Sequence, residues 1–182
     1  WKTWWDNMEI KQGFLYITNG TVDIVNGTVS DTDASNNIAT AKCYLINVTE
    51  DYVSEDTPQA IPQSRAKFTT QDSTIYIIYL KRLKGSVKFD VELRNDSTHT
   101  WLYYKNMLKY LAGRGAHPDD SSKYYGGTVT AVWRLPEGYQ TIKGVINKIS
   151  FKEFSNVAWK KTTSSIPNKI SAIIQIVVGE LR

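Results

Sequence analysis

A chain of 182 residues with 41% hydrophobic side chains has enough apolar material for a single core. Its net charge of +4 and pI near 9.0 are mild, and Lys and Arg are spread along the chain, so no nucleic-acid partner is expected. Cys43 is the only cysteine, which excludes an intrachain disulfide and a multi-cysteine metal site; no apolar stretch approaches the roughly 20 residues of a bilayer span, so no membrane insertion is expected.

Residues 1–13 begin at Trp1 rather than Met, show no clean period and read as an N-terminal arm of a processed or excised chain. Residues 14–182 read as one domain. Two copies of Asn-Gly-Thr-Val, Asn19–Val22 and Asn26–Val29, lie among alternating apolar residues. Asn-Gly tolerates the positive φ of tight hairpin turns, so Phe14–Ser30 is expected to be an antiparallel meander. A polar loop, Asp31–Asn37, leads into a strand over Ala41–Asn47, in which Cys43 reads as an inert core thiol. Thr49–Ser64 carries Glu50, Asp51, Glu55, Asp56, Pro58 and Pro62 and reads as a long exposed loop.

Thr74–Leu80 is almost wholly apolar and predicts a strand buried on both sides. A turn is expected at Lys84-Gly85-Ser86. Val87, Phe89, Val91 and Leu93 then alternate with charged residues, as a half-buried strand does. Tyr104, Met107, Leu108 and Leu111 fall at helical spacing and predict a short helix near Tyr103–Leu111, ended by Gly113 or Gly115. A polar loop over Arg114–Ser122 follows, then a strand with Val129, Ala131, Trp133 and Leu135 on one face. Pro136-Glu137-Gly138 reads as a turn, Ile142–Phe154 and Val157–Lys160 as further strands, and Ile170–Val178 as a fully buried closing strand. About nine or ten short strands with regular turn signals predict an all-β antiparallel β-sandwich of the jelly-roll kind.

No catalytic constellation stands out, and the chain is not expected to be an enzyme. His117-Pro-Asp-Asp120 offers an imidazole beside two carboxylates, yet Pro and Asp are ordinary turn residues, and the plainer expectation puts His117 at an exposed loop tip. His99 sits in a similar turn. Asp31-Thr-Asp-Ala-Ser-Asn-Asn37 opens like a calcium loop, with oxygen ligands expected from Asp31, Asp33 and Asn36 and a structural calcium ion as the only cofactor considered. Asn36 and Lys42 nevertheless stand where a helix–loop–helix site has Gly and Glu. The sequons at Asn19, Asn26, Asn47 and Asn95 include both Asn-Gly turns, which turn geometry explains without a glycan.

Aromatic surplus is the better clue, with six Trp and eleven Tyr. Trp101, Tyr103 and Tyr104 precede the Arg114–Ser122 loop and Tyr124-Tyr125 follow it. Flat rings stack on sugar rings while Arg114 and Asp119 can hydrogen-bond hydroxyls. Those seven residues form the expected ligand-binding set. Consecutive rings on a strand point to opposite faces, so each pair is expected to give one core ring and one exposed ring.

Three segments resemble jelly-roll carbohydrate-binding modules of the family 4/9 type, found in secreted glycanases and in bacteriophage tail and fibre proteins. They are the hairpin Phe68–Leu93, the turn Leu135-Pro-Glu-Gly138 and the closing Ile173–Glu180, where Gln175 replaces the acidic residue usual there. The resemblance implies a non-catalytic module that binds polysaccharide or cell-surface glycan, located outside the cell or on a virion. The alternative is a structural virion or surface-assembly protein, in which aromatics join homo-oligomers or other virion subunits.

Overall fold

Strands that alternate apolar and polar residues each own one face that must leave water, and the chain satisfies them by closing a ring. The computed structural model describes residues 7–59, 78–153 and 169–179. Its strands are β1 (Asn7–Glu9), β2 (Phe14–Thr18), β3 (Val22–Asp23), β4 (Thr28–Ser30), β5 (Thr40–Gln59), β6 (Ile78–Arg94), β7 (Ala116–His117), β8 (Asp120–Tyr124), β9 (Val129–Leu135), β10 (Gly138–Lys152) and β11 (Lys169–Gly179). The helix α1 spans Trp101–Leu111 between β6 and β7.

Six strands pair in the order β10-β11-β6-β5-β2-β9, and β9 pairs back with β10 to close a barrel. Every pairing is antiparallel. Residues 95–128, with α1 and the small β7–β8 hairpin, carry the chain from β6 round to β9, which lies beside β2. The order β9-β2-β5-β6 is a Greek key. The expected all-β antiparallel architecture and the short helix are therefore both present. The walls pack face to face around one core as sandwich sheets do, but here the ring also closes along both edges.

Leu15, Ile17, Phe89, Leu93, Trp133 and Ile174 lie in that core, with the Phe89 and Trp133 rings edge-to-face at 5.3 Å. Two bulges reset the alternation. On β5, Ala41, Cys43 and Leu45 face the core, then the extra residue Ile46 intervenes and Val48 takes over. On β10 the extra residue is Asn147, with Ile142 and Ile146 before it and Ile149 and Phe151 after it. Helix α1 adds Tyr104, Met107, Leu108, Tyr110 and Leu111 to the same core, packing against β5, β6 and β7. Thr100 caps its start by accepting from Tyr103 N, and Gly113 follows its end at φ 72°. The three-stranded sheet β1-β4-β3 covers the outside of the barrel, burying Ile10 and Val29 against Tyr16 and Val132.

Several expectations change. Only the second Asn-Gly turns a hairpin: β3 pairs with β4, Asp23 accepts from the Val25 and Asn26 amides, and Gly27 takes φ 68° with the Tyr139 hydroxyl too close for a Cβ. The first does not, because both edges of β2 are taken by β5 and β9. Asn19 instead ties two loops, donating to Asn37 O and accepting from Ala39 N. Thr49–Gln59 is strand rather than loop, since it pairs residue for residue with β6. No turn forms at Lys84-Gly85-Ser86, where β6 runs straight on and the Tyr52 ring occupies the space a Gly85 side chain would need. The closing strand is buried on one face only: Ile170, Ala172, Ile174 and Ile176 point inward, while Ile173 and Val177 are each 37% exposed on the outer wall. Trp1–Trp5, most of the apolar Thr74–Leu80 run and Val157–Lys160 lie outside the described residues.

Candidate functional site

At the start of α1, the turn Asn95–Thr98 builds a carboxylate hub. Asp96 Oδ1 accepts from Thr98 N at 2.9 Å, Thr98 Oγ1 at 2.8 Å and His99 N at 2.7 Å. Its Oδ2 accepts from the Tyr104 hydroxyl, with Lys42 Nζ at 3.7 Å. Burial alone would raise the Asp96 pKa, but the Tyr104 hydroxyl and the His99 and Thr98 donors outweigh it and hold the carboxyl at about 2. Burial and the Asp96 carboxylate push Tyr104 well above the usual phenol range. These groups, with Asp31 and Met107, line a cleft of about 220 Å³.

Of the seven expected ligand-binding residues, three lie on the first turns of α1, and the structure uses their polar groups internally. Tyr104 is only 4% exposed. Tyr103 stacks on His99 at 4.0 Å and donates from its hydroxyl to Asp119 Oδ2 at 2.5 Å, so burial and that carboxylate push its pKa up. Trp101 is half-buried against the core, its amide donating to Asn95 Oδ1. Tyr125 packs on Tyr110 and donates to Thr128 O, while its neighbour Tyr124 is 72% exposed, matching the one-in, one-out expectation for that pair. On α1 strand alternation does not apply, because a helix places its rings by the 3.6-residue period. Arg114 lies beyond the other end of the helix, so the seven do not share one face.

His117 is not at an exposed loop tip. It is 2% exposed, with Nε2–H donating to Ile38 O at 2.9 Å and Nδ1 accepting from Asp119 N at 3.1 Å, which fixes the neutral tautomer. Both nitrogens are used in joining the β7–β8 hairpin to the Asp31–Ile38 loop. Cys43 is fully buried and its thiol pKa is pushed up by desolvation, as an inert core thiol requires.

The calcium candidates separate. Asp33 caps a short 3₁₀ turn, accepting from Ser35 N and from Asn36 Nδ2, whereas Asp31 lines the cleft beside Asp96. Among the described residues no three His, Cys, Asp or Glu side chains converge as a metal-ligand set.

A feature the sequence reading missed is the edge of β5. β2 covers it only over Thr40–Tyr44, so from Ile46 to Gln59 no described strand pairs with that edge. Its partner β6 loses β11 beyond the Gly179–Lys84 pair. Among the described residues, the pairs from Ser54–Leu83 to Gln59–Ile78 therefore continue as a two-stranded ribbon, about 20 Å at ~3.4 Å per residue. Pro58 and four acidic residues, Glu50, Asp51, Glu55 and Asp56, made this strand read as a loop, although it pairs regularly with β6.

No protein-family model matches the chain, and no curated protein matches it. Of the three segments that carry the likeness to carbohydrate-binding modules, Phe68–Leu93 does not form the expected hairpin turn at Gly85, since β6 runs unbroken from Ile78 to Arg94. No helix among the described residues is long and apolar enough to cross a membrane.

Proposed function

We propose that this chain is a non-catalytic structural subunit of an extracellular or virion assembly, joined to further copies of itself through the β5–β6 ribbon and the edge of β5 that no described strand covers. The observation that carries this reading is the ribbon. An isolated two-stranded ribbon is marginal in water, and an unpaired strand edge is a template for another chain. Across the ribbon Glu55 and Asp56 of β5 stand in register with Arg82 and Lys81 of β6, so backbone pairing along the edge of β5, rather than charge, supports the contact. On the outer wall of the barrel the directly paired Val145 and Val177 are both exposed, which adds apolar surface to the chain.

Sedimentation and light scattering test it. The intact chain should assemble, whereas a variant with residues 54–83 replaced by Asn-Gly should stay monomeric and keep the thermal transition of the barrel. An intact chain that is monomeric at every concentration overturns the reading.

Glycan binding is the second reading, favoured by one observation: Tyr124 presents an exposed ring on β8 beside Asp120, Ser122 and Lys123. A glycan array should then show retention that Tyr124→Ala abolishes. An array without retention removes this reading and leaves the first intact.

A further inference from the structure

A second cleft, of about 410 Å³, opens between the C-terminal end of α1 and β10. Three cations line it: Lys109 from the last turn of the helix, Arg114 just beyond it and Lys148 from the strand. Among the described residues none of the three has an ion pair. Glu153, close along the chain to Phe151, is bound by Lys105, which also lies over the Phe151 ring at 5.3 Å. Beneath the cations are apolar groups, Ala112, Ile146, Ile149 and Phe151.

The bulge on β10 makes this cleft. In a regular strand successive side chains leave on opposite faces, so four consecutive residues cannot line one cavity. Here Ile146, Asn147, Lys148 and Ile149 all do, because Asn147 is the extra residue of the bulge. Bulges re-aim side chains in this way beside functional sites.

A plainer role for Lys109 and Arg114 is to cap the helix. The backbone has already done that. Leu108 O accepts from Ala112 N, Tyr110 O from Gly113 N and Lys109 O from Arg114 N at 2.8 Å.

We propose that this cleft binds a small organic anion, its carboxylate or phosphate held by Lys109, Arg114 and Lys148 and its apolar body resting on Ile146, Ile149 and Phe151. The volume lies within the range of small-molecule sites, and an apolar floor with few polar groups is their usual composition. Arg offers a planar fork to either head group, and Lys a mobile point charge. The inference is independent of assembly.

Calorimetric titration of the intact chain with phenyl phosphate, benzoate and inorganic phosphate tests it, together with backbone amide shifts. Phenyl phosphate or benzoate should bind about tenfold more tightly than inorganic phosphate, with shifts concentrated at Ala112, Asn147 and Ile149. Preference between the two organic anions assigns the head group. Arg114→Gln with Lys148→Gln, both at exposed positions, should weaken binding by about tenfold or more while leaving the thermal transition in place. Equal affinity for inorganic phosphate, unchanged binding by the double variant, or shifts away from the cleft would each overturn the proposal.

Discussion

At the N-terminal end of α1, Asp96 gathers the Tyr104 hydroxyl, two amides, the Thr98 hydroxyl and the Lys42 ammonium around one carboxylate. At the C-terminal end, Lys109, Arg114 and Lys148 meet over apolar side chains with no counter-charge among the described residues. Both ends line clefts, and both are polar. The first is closed on itself, so its groups contribute to stability and offer little to a ligand. The second leaves its charges facing solvent, where they add nothing to the fold and remain available. Mutual satisfaction, rather than polarity or the presence of a pocket, separates a structural cluster from a binding candidate.

Replacing Asp96 with Ala removes the acceptor for four hydrogen bonds and leaves the buried Tyr104 hydroxyl without its partner. It should cost about 2–4 kcal/mol in chemical denaturation. A loss below about 0.5 kcal/mol would show that the hub is not structural.

Acid should act through the same group. Asp96 is held at about 2 in the folded chain against a reference value of 3.8, so its contribution is present above the unfolded value and is lost as pH falls through the folded one. Melting temperature should therefore drop between about pH 4 and pH 2, and Asp96→Asn should flatten that part of the profile. A profile of unchanged slope in the variant would assign acid sensitivity to other carboxylates.

Tyr104→Phe keeps the ring in the core and removes only the hydroxyl, with Asp96 retaining its other donors. About 1 kcal/mol should be lost, readable in the denaturation midpoint. At the other end of the helix, Arg114→Gln and Lys148→Gln should change stability by less than about 0.5 kcal/mol. A larger loss from either would mean that these cations hold the fold together after all, and the contrast between the two ends would disappear.

Much of the scaffold was legible in the sequence. The alternation over Val87–Leu93 and Val129–Trp133, the turn at Pro136-Glu137-Gly138 and the helical spacing of Tyr104, Met107, Leu108 and Leu111 are local signals, and each element formed where its period placed it. The candidate site was less legible. The expected ring set follows from its aromatics alone, but Tyr103, Tyr104 and Tyr125 engage partners as far away in sequence as Asp119, and no local pattern shows that. The β5 edge was hidden because Glu50, Asp51 and Pro58 are residues that loops favour, although an edge strand tolerates them too. The extra residues Ile46 and Asn147 sit in runs that read as ordinary strand.

Sequence by itself determined that this protein is all-β and antiparallel with one short helix, because period, turn chemistry and capping act over a few residues. It also marked the twin Asn-Gly turns, of which one closes a hairpin. Tertiary structure decided that β2 would spend both its edges on β5 and β9, so that the first Asn-Gly could not turn a hairpin. It decided as well which charges met partners among the described residues, leaving Asp96 satisfied and Lys109, Arg114 and Lys148 lining an open cleft. Strand pairing and charge neutralisation are settled between residues far apart in the chain, and only the closed ring brings them within reach of one another.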